Sequence, residues 1–142
     1  MCQLLESIYV NDGVFRNLAY HEARMQASVL ALFKKQYAIN LQSALTQYSL
    51  PLRGLYKTRV IYNTSILKIE VVRYVSKSVH SLKLIEHKDI AYAHKFVDRT
   101  LLTELYSQRG RAEDILIVKN GLITDTYYGN IIFKREGHWY TP

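Results

Sequence analysis

A chain of 142 residues is long enough for one domain with a real core, or for a small domain plus part of another. Half of its residues are hydrophobic, as in an ordinary globule, and no apolar run approaches the length that crosses a bilayer. Nineteen Lys and Arg against twelve Asp and Glu leave a net charge of +7, which favours anionic partners, and the single cysteine, Cys2, excludes an internal disulfide and a cysteine metal cluster.

The basic residues are spread along the chain rather than gathered in a tail, so no specific nucleic-acid partner is expected. The nearest approach to a stacking platform is Tyr56-Lys57-Thr58-Arg59-Val60-Ile61-Tyr62. Strand alternation there puts Tyr56 and Tyr62 on the face opposite Lys57 and Arg59. The opening residues, Met1 to Glu6, lack the basic head and long apolar stretch of a secretion signal, so a cytoplasmic location with no membrane partner is expected.

Leu4 to Val10 reads as a strand, turned by Asn11-Asp12-Gly13, with Val14 to Asn17 as its return. Ala19 to Lys35 has helical periodicity, with Leu18, Met25, Val29, Leu32 and Phe33 as the inward stripe and His21, Arg24 and Ser28 along a neighbouring face. A short helix is expected from Leu41 to Tyr48, stopped by Pro51 and Gly54. Leu55 to Tyr62 and Ile66 to Tyr74 form two strands around Asn63-Thr64-Ser65, and Leu67, Ile69 and Val71 mark the drier face of the second.

His80 to Glu86 is a further strand candidate. A change of character follows near residues 87–92, and the periodicity then predicts a helix from Val97 to Gln108, with Val97, Leu101 and Leu105 inward and Gly110 as its stop. Ile115 to Val118 and Leu122 to Thr124 flank Asn120-Gly121, a strong hairpin signal. Asn130 to Lys134 and His138 to Tyr140 flank Glu136-Gly137. The expected class is α+β, divided into residues 1–90 and 91–142.

Four residues stand out by context: Lys95 before the third helix, Asp125 at a strand end, and His21 with Arg24 on one helical turn. Taken singly, each is also explained as a solvated surface group or a turn former. Their setting is more specific. Ser7 to Gly13 followed by Tyr20-His21-Glu22-Ala23-Arg24-Met25 resembles the opening of class IV aminotransferases: a strand, a hairpin and a helix carrying His-x-x-Arg. His94-Lys95-Phe96-Val97-Asp98-Arg99 resembles the Lys-x-x-x-Arg block of the aminodeoxychorismate lyase branch. Asp114 to Asp125 resembles the family's hairpin, and Asn130 and the closing Thr141-Pro142 fall where relatives carry Asn and Thr-Pro.

The resemblance covers nearly the whole chain. It implies a small α+β domain over 1–90, the first part of a pyridoxal 5'-phosphate (PLP) domain over 91–142, and a homodimer. It implies a transaminase or lyase acting on an amino acid or an amino-chorismate. Lys95 then takes the place of the lysine that bonds the cofactor aldehyde, a role that needs a neutral amine and that the nearby cations His94 and Arg99 favour. Arg24 takes the place of the phosphate-gripping arginine, whose fork suits paired oxygens. Asp125 takes the place of the carboxylate beside the pyridine nitrogen, one methylene shorter than the Glu of most members. No metal is implied.

The sequence stops at Pro142, before the Gly-x-Thr-Arg segment whose backbone amides complete the phosphate cup in relatives. The resemblance thus implies a C-terminally shortened form, impaired as an enzyme. The competing expectation is a non-catalytic remnant that serves as a binding or interaction protein. Ile115, Ile117, Ile131 and Phe133 alternate along strands, so one row is expected to lie uncovered or to be covered by a second copy.

Overall fold

The computed structural model describes residues 2–36, 40–50 and 53–142. Pro51, expected to stop the second helix, lies outside the described residues. The chain forms two compact units: residues 1–76 with 93–98, and residues 77–92 with 99–142. This differs from the single cut expected at residue 90, because the segment 93–98 pairs with the first strand while the strand before residue 90 pairs with one after residue 113.

The first unit is built on an antiparallel sheet of order β2-β1-β3-β4, comprising β1 (Leu4–Asn11), β2 (Val14–Phe15), β3 (Leu55–Tyr62) and β4 (Ile66–Arg73). The β1–β2 turn places Asp12 at φ 47° and Gly13 at φ 75°, the left-handed pair that a two-residue hairpin requires and glycine accepts without strain. β1 and β3 pair along their full length, from Leu4 against Tyr62 to Asn11 against Leu55. One face of this pair carries Leu4, Ile8, Val60 and Tyr62, and these pack with Met25 and Val29 of α1 (Leu18–Phe33) and Leu41 and Leu45 of α2 (Leu41–Leu45). Leu18, Leu32 and Phe33 pack against the same core, so the helical stripe read from the sequence is the buried one.

α1 ends two residues before the expected Lys35, because Lys34 turns left-handed at φ 55° while its N–H still reaches Leu30. The side chain of Asn40 caps α2 by accepting from the Ser43 N–H at 2.8 Å, and this helix ends at Leu45 rather than Tyr48. In β4 the expected dry row breaks: Ile69 packs on the core but Leu67 is exposed, beside an irregularity in the β3–β4 register at Ile61 and Tyr62.

The segment 93–98 completes this unit. Leu5 N–H donates to the Lys95 carbonyl at 2.8 Å, Val97 N–H donates to the Gln3 carbonyl at 2.9 Å, and Leu4 and Phe96 form a bridge. Val97 therefore lies outside the third helix, which begins later than expected, at Thr100.

The second unit holds a sheet of order β5-β6-β7, made of β5 (Leu82–Glu86), β6 (Asp114–Lys119) and β7 (Leu122–Thr126). β5 and β6 run parallel, which demands a crossover, and α3 (Thr100–Ser107) lies between them in sequence. Leu102 and Leu105 of α3 pack on Ile85, Ile90, Ile115 and Ile117. Leu105 faces inward as expected, together with Leu102 rather than Leu101, since these two pack on the β5–β6 sheet. Ile115 and Ile117 are accordingly fully buried rather than left uncovered, whereas Phe133 is exposed. Asn120 (φ 50°) and Gly121 (φ 76°) make the β6–β7 turn. β8 (Phe133–Arg135) and β9 (His138–Tyr140) form the last hairpin, its first strand starting three residues later than expected.

Candidate active site

The most concentrated polar chemistry of the first unit lies under α1. Glu6 sits at an inward position of β1, between Leu4 and Ile8, and its side chain is fully buried. His21 and Arg24 lie one helical turn apart, so both reach the same carboxylate. His21 Nδ1 is 2.7 Å from Glu6 Oε2, Arg24 Nε donates to Oε1 at 2.8 Å, and Arg24 Nη2 donates to Oε2. The guanidinium therefore meets the carboxylate as a fork, while about half of the Arg24 side chain, 49%, stays exposed.

Burial pushes the Glu6 carboxyl up, but hydrogen bonds and positive charge from His21 and Arg24 outweigh it and hold it below the ordinary value of 4.5. One turn further along α1, Ser28 is also buried, and its Oγ shares a hydrogen bond of 3.3 Å with His94 Nδ1. Tyr62 hydrogen-bonds to the same Ser28. Burial, reinforced by the Glu6 charge, pushes the Tyr62 hydroxyl up to about 12.

Lys95 follows His94 in an irregular, half-buried segment. Its carbonyl is bonded to Leu5, the neighbour of Glu6. Arg24 and Lys95 are thus both fastened to consecutive residues of β1, one through a side chain and one through the backbone. Arg99 belongs to the second unit. There its Nη2 donates to the Tyr127 carbonyl, and its guanidinium lies 4.9 Å and 5.0 Å from the ring centres of Tyr127 and Tyr128.

Asp125 stands on β7, paired with Ile117 beside the irregularity that β6 and β7 share. Its Oδ1 accepts the Thr126 N–H at 2.9 Å. With Ile90, Tyr92, Leu102, Lys119 and Thr124 it lines a cleft of about 250 Å³, in which Lys119 Nζ donates to the Ile90 carbonyl at 2.6 Å. On another side Asp125 borders a larger cavity of about 490 Å³ with Asn130, Trp139 and Thr141.

Glu6 is the buried charged residue at the centre of this cluster that the motifs do not mark. Its signal lay in parity: a lone carboxylate among Leu4, Ile8 and Val10 on one strand face, with His21 and Arg24 spaced one turn apart nearby.

The whole chain aligns with an uncharacterised protein of Haemophilus influenzae at 34% identity, over 77% of that protein's length. Its fold superposes with a TM-score of 0.91 on the crystal structure of a proposed 4-amino-4-deoxychorismate lyase from Haemophilus somnus, at 29% identity and over 76% of that chain. An aminotransferase from Brucella abortus, solved with bound PLP, shares the fold at a TM-score of 0.65 and 12% identity, and the present chain spans 60% of its length. No family model matches the chain. These whole-chain likenesses show a mixed α and β fold of the class IV aminotransferase type, shared with proposed lyases and aminotransferases. Among the described residues, no helix is long and apolar enough to cross a membrane.

Proposed function

We propose that this chain binds pyridoxal 5'-phosphate and acts as a lyase or aminotransferase on a small amino acid or an amino-chorismate, as a homodimer in the cytoplasm. The observation that carries the reading is the attachment of Arg24 and Lys95 to adjacent β1 residues: Glu6 holds the Arg24 fork and Leu5 holds the Lys95 backbone. The donor set fits the cofactor. A primary amine suits its aldehyde, a planar guanidinium suits its phosphate, and a carboxylate suits its pyridine nitrogen.

When bound, the cofactor supplies an aldehyde that captures amino groups and a protonated ring that draws electrons from them. The protein's own residues do the rest. Arg24, whose side chain is half exposed, would grip the phosphate. Lys95 Nζ would supply the primary amine that meets the aldehyde. Asp125 would supply the carboxylate that keeps the ring nitrogen protonated.

The competing reading is a binding or interaction protein without catalysis. The absorption spectrum of the purified chain mixed with PLP separates the two. A new band in the near-ultraviolet or visible that free PLP lacks supports the first reading. A spectrum equal to the sum of its parts favours the second.

A further inference from the structure

The fully buried Glu6 carboxylate has no part in the chemistry assigned to Arg24, Lys95 and Asp125, and a buried charge is costly unless it serves its partners. Its contacts are specific. Both oxygens are taken by the Arg24 fork, and His21 braces Oε2 from the same helix face. An arginine left half exposed on a helix samples many rotamers, and fixing it beforehand removes that cost from ligand binding. A two-point carboxylate contact also fixes the plane of the guanidinium, which a single contact does not.

We infer that Glu6 is a positioning residue: braced by His21, it orients the guanidinium of the half-exposed Arg24 side chain toward a phosphate monoester. This rests on the reading of Arg24 as the phosphate grip, and it adds that the grip is set by a carboxylate the ligand never touches. Glu6 acts on phosphate recognition alone, so the effect of losing it scales with the phosphate and not with the rest of the ligand.

The experiment compares dissociation constants of the full chain for pyridoxal 5'-phosphate and for pyridoxal, which lacks the phosphate, read by absorption and by fluorescence quenching. In Glu6→Gln the preference for the phosphorylated form is expected to fall about tenfold, the worth of one charge-assisted contact, with pyridoxal binding unchanged. Arg24→Ala is measured beside it. If Arg24→Ala keeps the preference, Arg24 does not grip phosphate, and the inference falls with that reading. If Arg24→Ala removes the preference and folded Glu6→Gln keeps it, the inference alone is overturned. Equal weakening of both ligands overturns it too, since a merely structural carboxylate behaves that way. Should Glu6→Gln fail to fold by circular dichroism, Glu6→Asp, which withdraws the charge by one methylene, is expected to lose part of the preference. An unchanged preference there, or a failure of both variants to fold, assigns Glu6 to the fold and overturns the inference.

Discussion

Arg24 Nε donates to Glu6 Oε1 at 2.8 Å across eighteen positions of sequence, joining a half-exposed helix residue to a fully buried strand carboxylate. This pair ties α1 to β1 at the place where the chemistry of the first unit is gathered.

Glu6 is held below its ordinary value of 4.5, against the push of burial, by His21 and Arg24. A carboxyl depressed in the folded state stabilises above its unfolded value, and that contribution is lost as pH falls through the folded value. Glu6→Gln is expected to cost about 1–3 kcal/mol at pH 7, and the difference from the unsubstituted chain should shrink below pH 4.5. Urea midpoints at several pH values check this; a difference that stays constant into acid contradicts it.

Tyr62 carries the opposite sign. Its hydroxyl is raised to about 12 by burial and by the charge of Glu6, so its contribution is complete below pH 10 and is lost as pH rises from there towards 12. The unsubstituted chain should therefore lose stability relative to Tyr62→Phe above pH 10, by about 1.4 kcal/mol per pH unit at most. Parallel alkaline denaturation curves for the two chains would count against a buried, neutral Tyr62.

The second unit's core rests on Ile115 and Ile117 beneath Leu102 and Leu105. Ile117→Ala is expected to lower stability by about 2–4 kcal/mol, as truncations of fully buried aliphatic residues do. Thermal unfolding reads this directly; a loss below about 1 kcal/mol would mean the position is less tightly packed than described.

Asp125 is expected to matter through its charge. Asp125→Asn should weaken PLP binding or shift its bound spectrum, whereas Asp125→Glu, which restores the length found in most of the family, should retain both. Spectra that coincide for all three chains would remove Asp125 from the proposed site.

Much of the fold was legible because local signals agreed with tertiary demands. The α1 stripe of Met25 and Val29, the full span of β3, and the Asn120-Gly121 turn all combine periodicity with turn chemistry. What the sequence hid was non-local. Nothing in His94 to Val97 announces that these residues pair with Gln3 and Leu5, and the helical spacing of Val97, Leu101 and Leu105 points the other way. The same blindness concealed Glu6, whose role depends on two residues that only the helix brings to it. Lys34 ended α1 by a left-handed turn that is more usual for glycine.

The central claim is that Lys95 bonds the cofactor. Borohydride reduction of the chain in the presence of PLP, followed by peptide mapping, tests it most directly. A stable label on Lys95 is expected, with Lys95→Ala unlabelled and without the new absorption band. Label spread over the other lysines, or an undiminished band in Lys95→Ala, would contradict it.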